Sequence, residues 1–239
     1  EQARELLFDE RERRPRPLRD DKILADWNGL MIAALARAGQ ALGEARYTAA
    51  AVKAADFMLR ELRAENGRLL KRYRNGKVGL PAHLDDYAFT VWGLLELYET
   101  TLEVTYLQEA IRINDQMLAH FWDDTNGGLY MTADDGEKLL IRSKDIYDGA
   151  IPSGNSVAAL NLLRLGHMTG RQEYLKKVKP IEVVSDIAPS MMNMVEKLMA
   201  YSPPFVYSKV SGITSKTGLE AEGWLIALGV TPEQMQTHP

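Results

Sequence analysis

Two kinds of helical segment alternate along the chain. Stretches 30–42, 87–98 and 157–165 are apolar on nearly every side, and such helices must be buried on most sides. The segments that begin at Tyr47, Tyr106 and Tyr174 instead place apolar residues on one side and charged residues on the other. That pattern is typical of a surface helix. The order, a buried helix and then a surface helix, occurs three times and predicts an inner layer of helices wrapped by an outer layer.

This alternation predicts an all-α fold. We expect an α/α toroid, partial or incomplete, with short β-hairpins between the helix pairs. It would form a single domain over residues 1–239, with pairs roughly at 27–63, 85–121 and 154–200. An α-solenoid is the alternative, although its two helices per repeat need not differ so much in burial. The chain starts at Glu1 and not at a methionine, so we expect a fragment of a longer protein.

The connecting segments predict two hairpins. Residues 67–78 turn at Asn75-Gly76, and residues 127–142 turn at Asp135-Gly136. Both dipeptides accept the positive φ of a tight two-residue turn. After Tyr174 the pattern weakens: Pro180 is expected to break a helix. Further on we expect a helix over 191–201, a strand over 205–210 and a helix over 217–228.

Composition excludes several classes of protein. The net charge of −4 does not favour a nucleic-acid surface, and the arginines between Arg11 and Arg19 alternate with acidic residues, as on an exposed helix face. The absence of cysteine excludes disulfides, thiolate metal sites and cysteine nucleophiles. The longest apolar run, Leu30 to Ala36, is far too short to span a membrane. We therefore expect a cytoplasmic protein with no nucleic-acid or membrane partner.

Polar residues gather where each buried helix begins. If the inner helices are parallel, these residues meet at one end of the ring, where helix amino termini leave unpaired N–H groups. Carboxylates, amides and aromatic rings in one place suit a polyhydroxylated ligand such as a sugar. The alternative interpretation is ordinary helix capping. The catalytic candidates are Asp26, His83, Asp85, Asp86 and Asp148, and the candidate ligand contacts are Trp27, Asn28, Tyr87, Ser153 and Asn155.

Each chemical role has its own physical reason. Asp85 and Asp86 are adjacent, so their side chains should diverge on a helix. A working carboxylate pair would therefore combine one of them with Asp26 or Asp148. His83 suits proton abstraction near neutral pH. No spacing of His and carboxylate residues resembles a metal motif, and we expect no metal or other cofactor.

Three segments carry a family resemblance. DDKILADWNGLM at 20–31, LDDYAF at 84–89 and DGAIPSGNSVAA at 148–159 resemble signature segments of the spermatogenesis-associated, thioredoxin-domain-containing family. The resemblance covers residues 13 to about 175. It implies a toroid similar to six-hairpin glycosidases and N-acylglucosamine 2-epimerases. The epimerase comparison implies that His83 transfers a proton and that Asp85 or Asp86 orients it. The glycosidase comparison implies that Asp26, Asp85, Asp86 and Asp148 are the candidate acids, bases or nucleophiles.

Two functions follow as hypotheses. The first is a sugar isomerase, epimerase or hydrolase, which requires the candidate catalytic groups within about 15 Å of one another, since they must reach one substrate. The second is a non-catalytic binding or scaffold domain that partners a thioredoxin-like domain. An incomplete ring exposes the flanks of its inner helices, and apolar patches of that kind usually find a partner. We therefore expect a homodimer or an association with the rest of a larger protein.

Overall fold

The computed structural model describes residues 2–17 and 19–185, with side chains up to Ile181. Its helices are α1 (Gln2–Glu12), α2 (Ala25–Leu42), α3 (Ala45–Glu61), α4 (Leu84–Thr101), α5 (Val104–Phe121), α6 (Gly154–Thr169) and α7 (Gln172–Ser185). Its strands are β1 (Ile23–Leu24), β2 (Leu70–Arg74) and β3 (Lys77–Pro81). The elements predicted at 191–201, 205–210 and 217–228 lie outside the described residues.

The predicted inner and outer layers are present. Helices α4 and α6 are buried along almost their whole lengths, whereas α3 and α5 bury one face. Helix α4 packs against α2 on one side and α6 on the other, and α3, α5 and α7 each pack against the inner helix that precedes them. The alternation of apolar and amphipathic segments thus predicted the layers of this mostly helical fold.

Neighbouring inner helices are parallel and very close. A Cβ built on Gly29 would lie 2.5 Å from the carbonyl carbon of Phe89, and one on Gly93 would lie 2.6 Å from the oxygen of Gly29. Glycine at both positions therefore lets the backbones of α2 and α4 touch. Further along, the Thr100 hydroxyl is 3.4 Å from the oxygen of Ala36, so contacts advance in the same direction along both helices. Parallel packing places all the inner-helix amino termini at one end.

A buried ion network joins the inner helices towards their other ends. Glu96 of α4 is 2% exposed and accepts hydrogen bonds from the Arg164 guanidinium at 2.8 Å and from the Trp92 indole at 3.0 Å. Its second oxygen lies 2.7 Å from Nε of Arg37 on α2. Removing one partner of such a network leaves a buried charge uncompensated, so the network fixes how the three helices align.

The hairpin predicted over 67–78 is confirmed. Strands β2 and β3 pair antiparallel, and both Asn75 and Gly76 adopt positive φ at the turn. Strand β1, which the sequence pattern did not predict, adds to the other edge by pairing Ile23 with Tyr73 and Leu24 with Arg72. The sheet therefore connects the start of α2 to the segment that leads into α4.

The hairpin predicted over 127–142 is wrong. No strand is assigned there, although a tight turn forms near Asp135-Gly136 and the Met131 N–H bonds to the Ser143 carbonyl at 2.8 Å. The side chain of Arg142 donates to the carbonyls of Thr132 and His120, which occupies an acceptor that a strand ladder would use. Leu140 and Ile141 are exposed, so no apolar strand face is buried to stabilise a second hairpin.

The expected break at Pro180 is also wrong, because α7 continues through this residue to Ser185. Proline removes one backbone N–H from the helix. The turn around it nevertheless buries Val178 and Ile181 in the core. A Cβ on Gly127 would come within 2.5 Å of the proline ring, so Pro180 itself packs tightly. Tertiary packing offsets the unfavourable helix propensity.

Candidate functional site

The amino-terminal ends of the three inner helices meet. The Asp26 N–H at the start of α2 donates to the Asp86 carboxylate in the first turn of α4, at 3.1 Å. On the other side of α4, the Asp85 carboxyl touches the start of α6, where a Cβ on Gly154 would lie 2.3 Å from Oδ1 of Asp85. The predicted gathering of these ends is therefore present. We call the cluster Asp26, Lys71, Asp85, Asp86 and Asp145 the rim site.

Asp86 is the fixed centre of the rim site. Its side chain is fully buried and accepts hydrogen bonds from the N–H groups of Asp26, at 3.1 Å, and His83, at 2.7 Å. It also accepts from the Lys71 ammonium at 3.2 Å. Burial raises the pKa of Asp86, while Lys71 and the His83 N–H favour its ionised form. With its oxygens occupied and no exposed surface, Asp86 positions its neighbours.

Among the described residues, Lys71 is the only cationic side chain that forms ion pairs with the carboxylates of the rim site. It lies on β2, and its ammonium is 3.2 Å from Asp86 and 3.7 Å from Oδ2 of Asp26. Burial disfavours its charged form, but Asp86 and Asp26 outweigh that effect and raise the Lys71 pKa. Sequence reasoning missed this residue because it did not predict β1, whose pairing with β2 draws the hairpin to the start of α2.

Asp85 differs from its neighbour Asp86. Its Oδ1 is buried against the start of α6 and has no hydrogen-bond partner among the described residues. Burial, with the added repulsion of Asp145, Asp86 and Asp26, raises the pKa of Asp85 to about 6, and Lys71 only partly opposes this. Asp85 therefore changes protonation state close to neutral pH.

The segment before α6 brings two further carboxylates. Asp148 accepts from the Ser153 N–H at 2.8 Å and the Ser156 hydroxyl at 3.0 Å, which holds the segment against α6. Asp145 is exposed, its carbonyl accepts from the Asn155 amide at 2.8 Å, and its charge acts on Asp85. The sequence pattern did not predict Asp145, because the expected entry to this helix began at Asp148, three residues later.

Four other predicted residues lie around the same ends. Trp27, in the first turn of α2, is 61% exposed and free to face a ligand. The Asn28 amide is already engaged, because it donates to the carbonyl of Leu24, the residue just before α2, at 2.7 Å. His83 is half-buried and precedes α4, and Ser153 is buried as the residue that caps α6. Capping thus accounts for Ser153, as the alternative interpretation expected.

Tyr87 and Asn155, predicted as ligand contacts, lie away from any accessible surface. Both are fully buried. The Tyr87 hydroxyl accepts from Nε of Arg68 at 2.9 Å and from the Leu69 N–H at 3.3 Å. The Asn155 amide bonds to both the N–H and the carbonyl of Leu129. Their contacts give both residues structural roles.

Two other features are formed by residues that do not belong to the rim site. On α5 and the segment after it, His120, Asp134 and Asp135 bring ligand atoms within 4.8 Å of one another, as a metal ion would require, but both carboxylates are exposed. A groove of about 750 Å³ follows α3, lined by Ala45, Thr48, Ala49, Val52, Lys53, Asp56, Phe57 and Arg60. That groove lies on an outer helix, whereas the rim site lies on the inner ones. Among the described helices, none is long and apolar enough to cross a membrane.

Comparison with known sequences identifies relatives. Human spermatogenesis-associated protein 20 is 42% identical over 183 residues, which are 72% of this chain and 23% of that protein. The mouse protein of the same name is 41% identical over the same proportions. The matched segment is homologous to spermatogenesis-associated protein 20. This confirms the resemblance to the spermatogenesis-associated family. The chain spans about a quarter of the length of these relatives. No protein-family model matches.

Solved structures show the fold. A GH76 alpha-mannanase from Bacteroides thetaiotaomicron matches with a TM-score of 0.53 and 22% identity, over 69% of this chain and 44% of that one. A D-mannose isomerase matches with a TM-score of 0.53 and 18% identity, over 67% of this chain and 40% of that one. The cellobiose 2-epimerase from Spirochaeta thermophila matches with a TM-score of 0.56 and 15% identity, over 68% of this chain and 43% of that one. The predicted α/α toroid of the six-hairpin glycosidase type is thus confirmed, and the matched helices correspond to less than half of each neighbour.

Proposed function

We propose that the rim site binds a sugar and that Asp85 transfers a proton to or from it. The observation that carries this proposal is the Asp85 carboxyl, which lies partly buried where the amino-terminal ends of α4 and α6 meet and has a pKa of about 6. General acid–base catalysis is most efficient when the pKa of the catalytic group lies near the working pH. A carboxyl group that titrates close to neutrality can serve in either direction.

The neighbours of Asp85 supply the rest of the site. Asp26 brings a second carboxylate, held beside Asp86 through its own N–H, and Trp27 offers an exposed aromatic face next to it. Carboxylates accept hydrogen bonds from sugar hydroxyls, and an aromatic face packs against the apolar C–H side of a sugar ring. In this proposal Asp86 and Lys71 position these groups and do not touch the substrate.

Two reaction classes are compatible with this arrangement. An epimerase or isomerase requires one group that removes a proton from carbon and returns it, which suits Asp85 or the half-buried His83. A hydrolase requires an acid and a second carboxylate, which suits Asp85 with Asp26. The fold neighbours include both kinds of enzyme, so the products must decide between them.

The test is an NMR assay in deuterium oxide with mannose, glucose, cellobiose and mannobiose. Deuterium at carbon 2 reports epimerisation or isomerisation, and new reducing-end signals report hydrolysis. We expect Asp85→Asn to lower turnover at least about 100-fold. Glu44→Gln, an exposed change at the opposite end of α2, should leave turnover unchanged. If Asp85→Asn retained wild-type turnover, or no sugar were bound or converted, the proposal would be wrong.

A binding or scaffold role is the second candidate, favoured by one edge of the molecule. Helix α2 belongs to the inner layer, yet Trp27, Met31 and Leu42 on it are 61%, 56% and 65% exposed. The equivalent helices α4 and α6 are covered. A partner, such as a second copy, another part of a larger protein or a thioredoxin-like domain, would bury this apolar edge.

A further inference from the structure

The charges around the rim site are strongly unequal. Among the described residues, the hydrogen bonds and charge interactions gather the carboxylates of Asp26, Asp85, Asp86 and Asp145 around a single ammonium, that of Lys71. Asp148 adds a further carboxylate at the start of α6. The amino-terminal dipoles of the inner helices offset only part of this charge, since each is worth roughly half a unit.

The one ammonium is not available to a ligand. The Lys71 side chain is 25% exposed and already contacts Asp86 and Asp26. An acidic ligand that recruited Lys71 would leave Asp86, which is fully buried, without its charge partner. Stripping a buried carboxylate of its counter-ion is unfavourable. The rim site therefore has no free cation among its members for a negatively charged group.

The exposed carboxylate of Asp145, by contrast, can meet a positive charge. Asp145 is exposed, and within the described residues its side chain accepts only from the N–H of Tyr147, two residues along the same segment. Its charge is close enough to Asp85 to affect it. The Asp145 carbonyl accepts from the Asn155 amide in the first turn of α6, the helix end that Asp85 touches, so an ammonium paired with the Asp145 carboxylate would lie beside the rim site.

We propose that the rim site selects sugars by charge, binding an amino sugar more tightly than the neutral sugar of the same shape and rejecting the corresponding uronate. This inference rests on the proposed function, because it names the substrate class of the same site. Attraction between opposite charges about 4 Å apart in water amounts to roughly a fivefold gain in affinity. The preference weakens with salt, since exposed charges are screened.

The experiment measures the affinity of the full chain for D-mannose, D-mannosamine and D-mannuronate by calorimetry at pH 6.5. We expect mannosamine to bind roughly fivefold more tightly than mannose, and mannuronate at least fivefold more weakly. Raising the salt from about 0.02 to 0.5 M should shrink both differences. Mannuronate binding as tightly as mannose would overturn the inference and leave the proposed function standing. Failure of all three sugars to bind would count against both.

A matched pair of variants tests whether the charge of Asp145 causes the preference for mannosamine. Asp145→Asn removes one accessible charge without changing the size of the side chain, so the preference for mannosamine over mannose should fall severalfold. Glu44→Gln removes the same charge at the far end of α2, and it should leave the preference unchanged. Equal effects of the two variants would overturn the assignment, because the preference would then follow net charge and not the rim site.

Discussion

At the scale of the residue, the fold gives Asp85 and Asp86 different surroundings although they are adjacent in the chain. Asp86 turns towards α2 and Lys71 and is fully occupied. Asp85 turns towards α6 and keeps an oxygen without a described partner. Their divergence was predictable, because successive residues on a helix point in different directions. Which of them would be occupied was not, since Lys71 and Asp145 approach from segments outside the helix pattern.

Asp85 should make stability depend on pH. Its folded pKa of about 6 exceeds the unfolded value of about 3.9. The folded state therefore holds the proton more tightly, and the free energy of unfolding should fall as pH rises from about 4 to 6. Asp85→Asn removes the free-energy cost of ionising this partly buried carboxyl group. At pH 7 the variant should therefore be more stable than wild type by about 1–2 kcal/mol, after allowance for partial solvent exposure.

Urea unfolding from pH 4 to 8 measures this effect. The advantage of Asp85→Asn should be largest above pH 6 and should vanish near pH 4. An Asp85→Asn protein that is less stable than wild type at pH 7 would contradict the description of Asp85 as a carboxyl group without a compensating partner.

Gly154 sets the space available to Asp85. In Gly154→Ala the new methyl group would lie 2.3 Å from Oδ1 of Asp85 and 2.8 Å from Cγ of Leu84, so we expect a loss of about 1–3 kcal/mol from overpacking. Gly79→Ala is the matched control, because nothing lies within 4 Å of a Cβ at that position. Thermal and urea unfolding compare the two, and equal losses would show that Gly154 is not constrained by its neighbours.

At the scale of the element, helices were easier to predict than the segments between them. The period of apolar residues identifies α2 to α6 because each buries a full face or its whole surface. Strand β1 has only two residues, too few for any alternation to be visible. The prediction of the second hairpin was wrong because it rested on a turn dipeptide, which is a local signal, whereas strands also need a surface to pack on. The break predicted at Pro180 was wrong because packing of the surrounding helical turn outweighed the local preference of proline.

The contact between β2, α2 and α4 depends on Asp86. Asp86→Ala would leave the Lys71 ammonium and two backbone N–H groups without their acceptor, so the free energy of unfolding should fall by about 3–5 kcal/mol. Asp21→Ala removes an ion pair with Arg74 whose side chains are 43% and 39% exposed, and it should cost at most about 1 kcal/mol. Urea unfolding of both variants at pH 7 measures the difference. A small loss for Asp86→Ala would contradict its positioning role.

At the scale of the whole molecule, the described helices form part of a toroid with an open edge at α2. The chain corresponds to 44% of the mannanase and 43% of the cellobiose epimerase. The sequence pattern predicted the local order of helices, and from their number a partial ring. It could not predict what covers the open edge, because the residues that would do so are not specified by the pattern of α2 itself.

We expect the open edge to drive association. Met31 and Leu42 are 56% and 65% exposed. Their burial in an interface would remove apolar surface from water, and each side chain that becomes fully buried would stabilise the complex by about 1.5–3 kcal/mol. Sedimentation velocity should show concentration-dependent association of the wild-type chain, and Met31→Lys with Leu42→Lys should abolish it. The control Val78→Lys, at a residue 40% exposed on β3, should associate as wild type. A wild-type chain that stays monomeric at about 100 μM would count against an unpaired edge.

The central claim is that the amino-terminal ends of α2, α4 and α6 form one sugar-binding site. Backbone amide NMR during a titration with D-mannose tests it most directly, because every assigned residue reports independently. We expect saturable shifts at Asp26, Asp85, Asp145 and Gly154, and these shifts should be lost in Asp85→Asn. Shifts confined to the groove on α3, or no saturable shift with any sugar, would contradict the claim.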